Sequence, residues 1–265
     1  MSRPGQTAPG AEHAYQPSRG LAARVRRRIV PHLGRRDVAL HMDRPVVSFT
    51  FDDVPASVPE HALPVLEREG WRGTLYVATG LIGLTNHHGR MMSAAEIREA
   101  AARGHEIGAH SHRHIDYGTA SAAVIAEDMR MAGDTLAEVG VREPTAFAWP
   151  YGEASAQAKR RLGARYGSLR GTRQITHRTC ADLNQLGSYR LFSGRYFDEL
   201  HAAIGELGRA PGWLTLFTHD VRERPSPWGC TPGEFEAVVA AVKRVGAAVL
   251  PVGAAVAQLK GSPDE

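Results

Sequence analysis

Two adjacent carboxylates and a spaced pair of imidazoles are the residues of this chain best suited to chemistry. They are Asp52-Asp53, closing the run Thr50-Phe51-Asp52-Asp53, and the outer histidines of His110-Ser111-His112-Arg113-His114. Two neutral imidazole nitrogens and one carboxylate oxygen, with positions left open, make a metal site able to polarise a carbonyl and acidify a water. Either aspartate can be the oxygen donor. Each pair alone has an ordinary explanation, since Asp after a strand caps turns and helices, and loop histidines hydrogen-bond locally. The conjunction is what carries weight: two apolar segments both end in metal-type ligands, which capping needs do not require. His112 falls between the two ligand positions and on a helical turn points away from an ion, so it is expected to support or lie on the surface. His105 and His177 have no partner spacing and are expected to be structural.

The segments that deliver these groups can be read from pattern. Residues 46–51 are apolar and β-branched and read as a buried strand carrying the acids at its C-terminal end. Residues 105–109 are a second strand, and a helical turn directly after it would set His110 and His114 on one face. Between them, Ser57 and Pro59 open a helix that Gly70 stops, and residues 74–77 form a strand. Ser93 and Glu96 have capping-box spacing for a helix ending at Gly104. Further on come a helix over 124–139, a strand over 145–148, a helix over 154–162 and a strand over 213–218. Thr231, Pro232 and Glu234 form an N-cap, N1 and N3 set for a helix through Val245, and residues 248–252 are the closing strand. This alternation predicts an α/β fold with a mainly parallel sheet, either closed as a barrel or doubly wound. Both place active groups at strand C-terminal ends.

At 265 residues, 43% hydrophobic and 23% charged, the composition is that of one ordinary globular unit, which argues against both a membrane bundle and a disordered chain. No apolar run reaches the length of a membrane span, and residues 1–18 contain no apolar core of a secretory leader. Cys180 and Cys230 lack metal or redox spacing. A cytoplasmic location is therefore expected. No glycine-rich phosphate loop is present, which argues against a nucleotide enzyme. Basic residues crowd the start, with Arg19, Arg24, Arg26, Arg27, Arg28, Arg35 and Arg36 set among Leu21, Val25, Ile29 and Leu33. Residues 1–40 read as a basic extension, partly disordered or amphipathic, ahead of a catalytic domain over 41–265. Such an arm can meet an anionic membrane surface peripherally.

The residues resemble the polysaccharide deacetylase family, built on the NodB homology domain and also called carbohydrate esterase family four. Thr50-Phe51-Asp52-Asp53 is similar to its first motif, the His110 to His114 segment to its second, Pro150-Tyr151 to the end of its third, and Leu216-Phe217-Thr218-His219 to its last. The resemblance implies a distorted, incomplete (β/α) barrel binding one divalent metal, usually zinc, through Asp53, His110 and His114. It implies Asp52 as general base toward the attacking water and His219 as general acid toward the leaving amine. Tyr151 would offer its backbone N–H to the oxyanion, and Leu216 would sit by the acetyl methyl. The implied reaction is removal of an N-acetyl group from an acetamido sugar of a glycan or glycan precursor, with no nucleic acid partner. Trp149, Trp213 and Tyr151 could stack on a sugar ring, though core packing is the ordinary use of the tryptophans.

The chain departs from the family pattern twice. Ala148 stands where the third motif usually has an Arg that pairs with the base, and Arg170, at the end of the next expected strand, is the candidate substitute. The fourth motif, whose Asp tunes the acidic His, has no clear match, and Asp182 is its weak candidate. The stretch from Thr218 to Pro232 resembles a proteobacterial branch associated with surface polysaccharide assembly. The competing readings are an amide hydrolase acting on another substrate class and a catalytically silent glycan-binding homologue. In a third, the Arg-rich arm is the main functional element and its binding weakens steeply with salt.

Overall fold

The structure, a computed structural model, describes residue 18 and residues 20–260. A curled, all-parallel sheet forms its centre, with strands β1 (Val46–Asp52), β2 (Thr74–Val77), β3 (Glu106–Ala109), β4 (Ala146–Ala148), β5 (Ser168–Arg170), β6 (Tyr189–Arg190), β7 (Trp213–Thr218) and β8 (Ala248–Val249). Their order is β6-β7-β1-β2-β3-β4-β5, with β8 beside the first residues of β1. Every position of β1 is buried, as expected of a parallel strand covered on both faces. Helices α1 (Leu21–Ile29), α2 (Leu63–Arg68), α3 (Ala94–Ala102), α4 (Ala122–Glu138), α5 (Ala156–Gly163), α6 (Arg195–Leu207), α7 (Pro232–Arg244) and α8 (Val252–Leu259) complete a single α/β domain.

The sheet is a half-barrel. At its far end Leu169 donates its N–H to Leu183 O at 2.7 Å and Gly171 to Leu186 O at 2.8 Å. The connecting segment thus runs along β5 before entering β6, and no ladder joins those two strands among the described residues. Parallel register aligns the carboxyl ends: Asp52 lies beside Tyr76, Tyr76 beside Gly108, and Ala148 beside Arg170. Gly108 is required here, because a Cβ at that position would sit 2.6 Å from the Tyr76 ring.

The capping boxes at Ser93/Glu96 and Thr231/Glu234 are both formed. Three expectations are corrected. The helix expected from Ser57 begins as a π-helical stretch, Val58–Ala62, before α2, because Pro64 has no N–H to return to Glu60. The closing strand stops at Val249: Pro251 caps α8, and the Val252 N–H donates to Thr74 Oγ1 at 2.9 Å. Val252, Ala255, Val256 and Leu259 then face the core at helical spacing.

The third correction concerns the basic segment, which is built into the body over its described residues. Arg26 pairs with Glu153 at 2.9 Å, Val30 is in the core, and Asp37–Ala39 runs antiparallel to Cys180–Asp182. Leu21, Val25 and Ile29 are exposed along the outer face of α1. Arg19 and residues 1–17 lie outside the described residues. No described helix is long and apolar enough to cross a membrane.

Candidate active site

A cavity of about 1480 Å³ opens over the carboxyl ends of the strands, and Asp52, Asp53, His110, His114, Tyr151 and His219 all line it. The chain reaches it through strained turns. Among the described residues, five non-glycine positions have positive φ: Asp53, Val54, Ser111, His114 and Tyr151. All five lie in the segments that end in the cavity. Each conformation costs on the order of 1–3 kcal/mol, and for β-branched Val54 it is a true outlier, so the surrounding packing holds these turns against their preference.

The His110 to His114 segment is therefore an irregular loop and not the expected helical turn. Left-handed Ser111 and His114 bend it so that the two imidazoles still converge, with Nε2 atoms 3.3 Å apart. The bend is held from below by Asp128 of α4. This fully buried carboxylate accepts the His112 N–H at 3.0 Å, the Arg113 N–H at 2.9 Å and the Tyr117 hydroxyl at 2.7 Å. Burial, and then the Asp128 charge, push the Tyr117 phenol far up, so it stays a donor. His112 shares a hydrogen bond with Thr79 Oγ1 through Nδ1 at 2.9 Å and stays out of the ligand cluster, as expected.

Asp53 Oδ1 lies 3.7 Å from His110 Nε2 and 3.5 Å from His114 Nε2. Tetrahedral donors about 2.1 Å from zinc are about 3.4 Å apart, so these spacings suit one ion. Asp53 Oδ1 is buried with no hydrogen-bond donor, and His110 Nδ1 is committed to the Ala148 carbonyl at 2.8 Å, which leaves its Nε2 as a lone pair. An orphaned carboxylate oxygen and an imidazole lone pair that converge with a second imidazole nitrogen fit a cation. Burial opposes charge on Asp53, but His114, His110, His219 and His88 outweigh it and hold the carboxyl well below its usual range.

Asp52 is buried beside it and receives a hydrogen bond and ion pair from the fully buried Arg170 guanidinium. Arg170 also lies over the Phe217 and Tyr76 rings, 4.8 and 5.3 Å from their centroids. Burial would raise the Asp52 pKa; Arg170 foremost, then His110 and His219, bring it below the ordinary carboxylate value. The guanidinium thus arrives from the end of β5, the strand beside Ala148, whose own position lacks it.

His219 bonds the Trp228 carbonyl through Nδ1 at 3.1 Å, and burial followed by His88 push its pKa down to about 4. Tyr151 sits edge-on to His114 with ring centroids 4.5 Å apart. Leu216 is a core residue in register with Phe49, and the cavity wall at this point is formed instead by Phe217 and Phe192. Asp182 is not beside His219: its carboxylate is used by Lys159 Nζ at 2.9 Å and the Arg36 N–H at 2.9 Å. His105 and His177 are structural, accepting the N–H groups of Gly73 and Gly187. Trp149 and Trp213 are buried, with their indole N–H groups donated to Asn184 O and Ser48 Oγ.

Sequence reasoning missed His88. It sits on a two-residue turn between Thr85–Asn86 and Gly89–Arg90, buried, stacked on His219 at 4.7 Å and 14°, with Nε2 3.9 Å from Asp53 Oδ2. It also missed Asp128, and Trp228, which is 41% exposed at the cavity rim. An isolated His-His pair in a polar hairpin and an Asp inside a helix carry no local mark of such roles.

The α/β half-barrel matches the fold of carbohydrate esterase family four deacetylase structures. Residues 40–167, a little under half of the chain, match the family described as Polysaccharide deacetylase. Over 108 residues the chain is 32% identical to "Probable peptidoglycan-N-acetylglucosamine deacetylase" of Arthroderma benhamiae, a stretch covering 40% of this chain and 23% of that relative. The chitin deacetylase of Colletotrichum lindemuthianum shares the fold with a TM-score of 0.61 at 19% identity, over 88% of this chain and 95% of that one. A CE4 family pseudoenzyme of Bacillus anthracis does so at 0.56 and 13% identity, over 84% and 70%. The fold alone therefore does not decide turnover; the side chains must.

Proposed function

We propose that this protein hydrolyses N-acetyl groups on an acetamido sugar within a glycan or glycan precursor. The observation that carries the reading is the joint arrangement in one cavity of a cation-ready cluster (Asp53, His110, His114), a braced carboxylate (Asp52 with Arg170) and an imidazole (His219). A cavity of about 1480 Å³ exceeds what a small amide requires, and Trp228, Tyr151 and Phe192 offer faces for sugar rings. Zinc suits the nitrogen and oxygen donors, and when bound the ion would polarise the acetamide carbonyl and lower the pKa of water.

The remaining work belongs to the protein. Asp52, ionised and fixed by Arg170, takes the proton from the attacking water. The Tyr151 backbone, set with φ 58° next to His114, is the protein's contribution to the oxyanion. The C–N bond breaks when the amine nitrogen is protonated, and His219 delivers that proton. His219 is neutral in the free protein near pH 7, so the proton it passes on is the one Asp52 removes from water. Negative charge growing on the tetrahedral oxygen opposes the burial that otherwise keeps His219 neutral. Acetate and a free amine result.

Acetate release from N-acetylglucosamine oligomers, assayed beside cyclic and linear amides with metal analysis of each protein, tests the reading. Asp52→Asn should keep the metal and lose turnover by about 100-fold or more, and His114→Ala should lose the ion held by Asp53, His110 and His114 together with turnover. Release from simple amides but not sugars would refute the substrate class, and no release at all would refute the enzymatic reading.

A further inference from the structure

Asp53 turns its two oxygens toward different histidines. Oδ1 faces His110 and His114, while Oδ2 faces His88 Nε2 at 3.9 Å. Asp53, His88 and His219 form a second group whose donor atoms lie within 4.8 Å of one another.

The hydrogen bonds around His88 fix its tautomer. Asp220 is fully buried and accepts from Arg222 Nε at 2.7 Å, the Ser226 N–H at 2.8 Å and the Ser226 hydroxyl at 2.5 Å, a set of donors that requires it to be ionised. The Ser226 hydroxyl proton is thereby spent on Asp220, so both neighbours of His88 Nδ1, Ser226 Oγ at 3.0 Å and Asp220 Oδ1 at 3.3 Å, can only accept from it. His88 Nδ1 must carry the hydrogen, and Nε2 aims a lone pair at a carboxylate oxygen. His219 repeats the pattern: its Nδ1 is committed to a backbone carbonyl, leaving Nε2. A histidine with one nitrogen donated to a carboxylate or carbonyl and the other converging with anionic oxygen is the usual setting of a metal ligand. One residue, Asp53, would then bridge two ions, as carboxylates do in paired sites.

We propose that Asp53 Oδ2, His88 and His219 form a second divalent-cation site for a transition metal of the zinc type, and that a cation there removes His219 from proton transfer. The inference rests on the metal reading of Asp53 given above. A nitrogen whose lone pair holds a cation cannot carry the proton the leaving amine needs, so the second ion inhibits where the first activates. The hairpin that carries His88 is the device that builds this site, since it brings a residue from beyond β2 across the strand ends.

Calorimetric titration of the chelator-stripped full chain with Zn²⁺ reads the number of sites, with Co²⁺ absorption as an independent measure of ligand environment. The wild-type protein should take up two equivalents. His88→Gln and His219→Ala should each take up one, and His114→Ala should retain the other. Deacetylation by wild type should fall about 100-fold as the second equivalent binds. Circular dichroism checks folding, and the His219 position, less enclosed than His88, serves if the His88 variant does not fold. A single equivalent in the wild type, or a second that survives both His88→Gln and His219→Ala, overturns the proposal. Absence of acetate release with one equivalent bound would instead overturn the enzymatic reading, so the two failures are distinguishable.

Discussion

Replacing Arg170 by Met tests how Asp52 is kept ionised. The pair is buried on both sides, with Arg170 fully enclosed between Tyr76 and Phe217. Removing one partner of a buried ion pair strands the other, at about 3–5 kcal/mol. For a domain of this size that lowers the melting temperature by on the order of 10 °C. The effect must depend on pH. In the wild type the Asp52 pKa is depressed on folding, so its contribution is present above the unfolded value near ~3.9 and lost as pH falls through the folded value. In the variant, burial acts with its main opponent gone, and the folded pKa rises above the unfolded one. That contribution is complete below ~3.9 and lost as pH rises. The stability gap between the two proteins should therefore be widest near neutrality and close toward pH 4. Urea unfolding in chelator at several pH values measures it, with His110 and His219 titrating in both proteins and largely cancelling. A gap below ~1 kcal/mol, or one that is flat with pH, would refute the assignment of Arg170 as the counter-charge.

Asp128→Ala removes the acceptor shared by two loop N–H groups and the Tyr117 hydroxyl. At about 1–3 kcal/mol for the buried Tyr117 hydroxyl left unpaired, with the two part-buried N–H groups adding less, it should destabilise by at least ~1 kcal/mol and weaken zinc binding about 10–100-fold, read by unfolding and calorimetry. Gly80→Ala would place a Cβ 2.5 Å from the His112 backbone oxygen, with no flexible side chain to yield. It should shift the ligand loop and lower metal affinity although residue 80 touches no ligand side chain, and unchanged affinity would show the loop to be softer than its contacts suggest.

Much of this protein is written locally in its sequence. The strand of residues 46–52 is apolar at every position before its acids, and the helix starts at Ser93 and Thr231 are set by residues three positions apart, so neighbouring contacts suffice to specify them. The same locality marked Asp52, Asp53, His110 and His114, because each sits at the end of an element whose pattern is legible. It failed where the backbone left its preferred regions: the ligand loop is bent by left-handed Ser111 and His114, held by a carboxylate 15 to 16 residues away, and no helical periodicity describes it. Only the tertiary structure decided that Arg170 reaches Asp52 across 118 residues and that His88 meets Asp220 across 132. Those meetings follow from the register of parallel strands and the swing of a hairpin, and sequence spacing carries no record of either, since the chain between the partners contributes length but not direction.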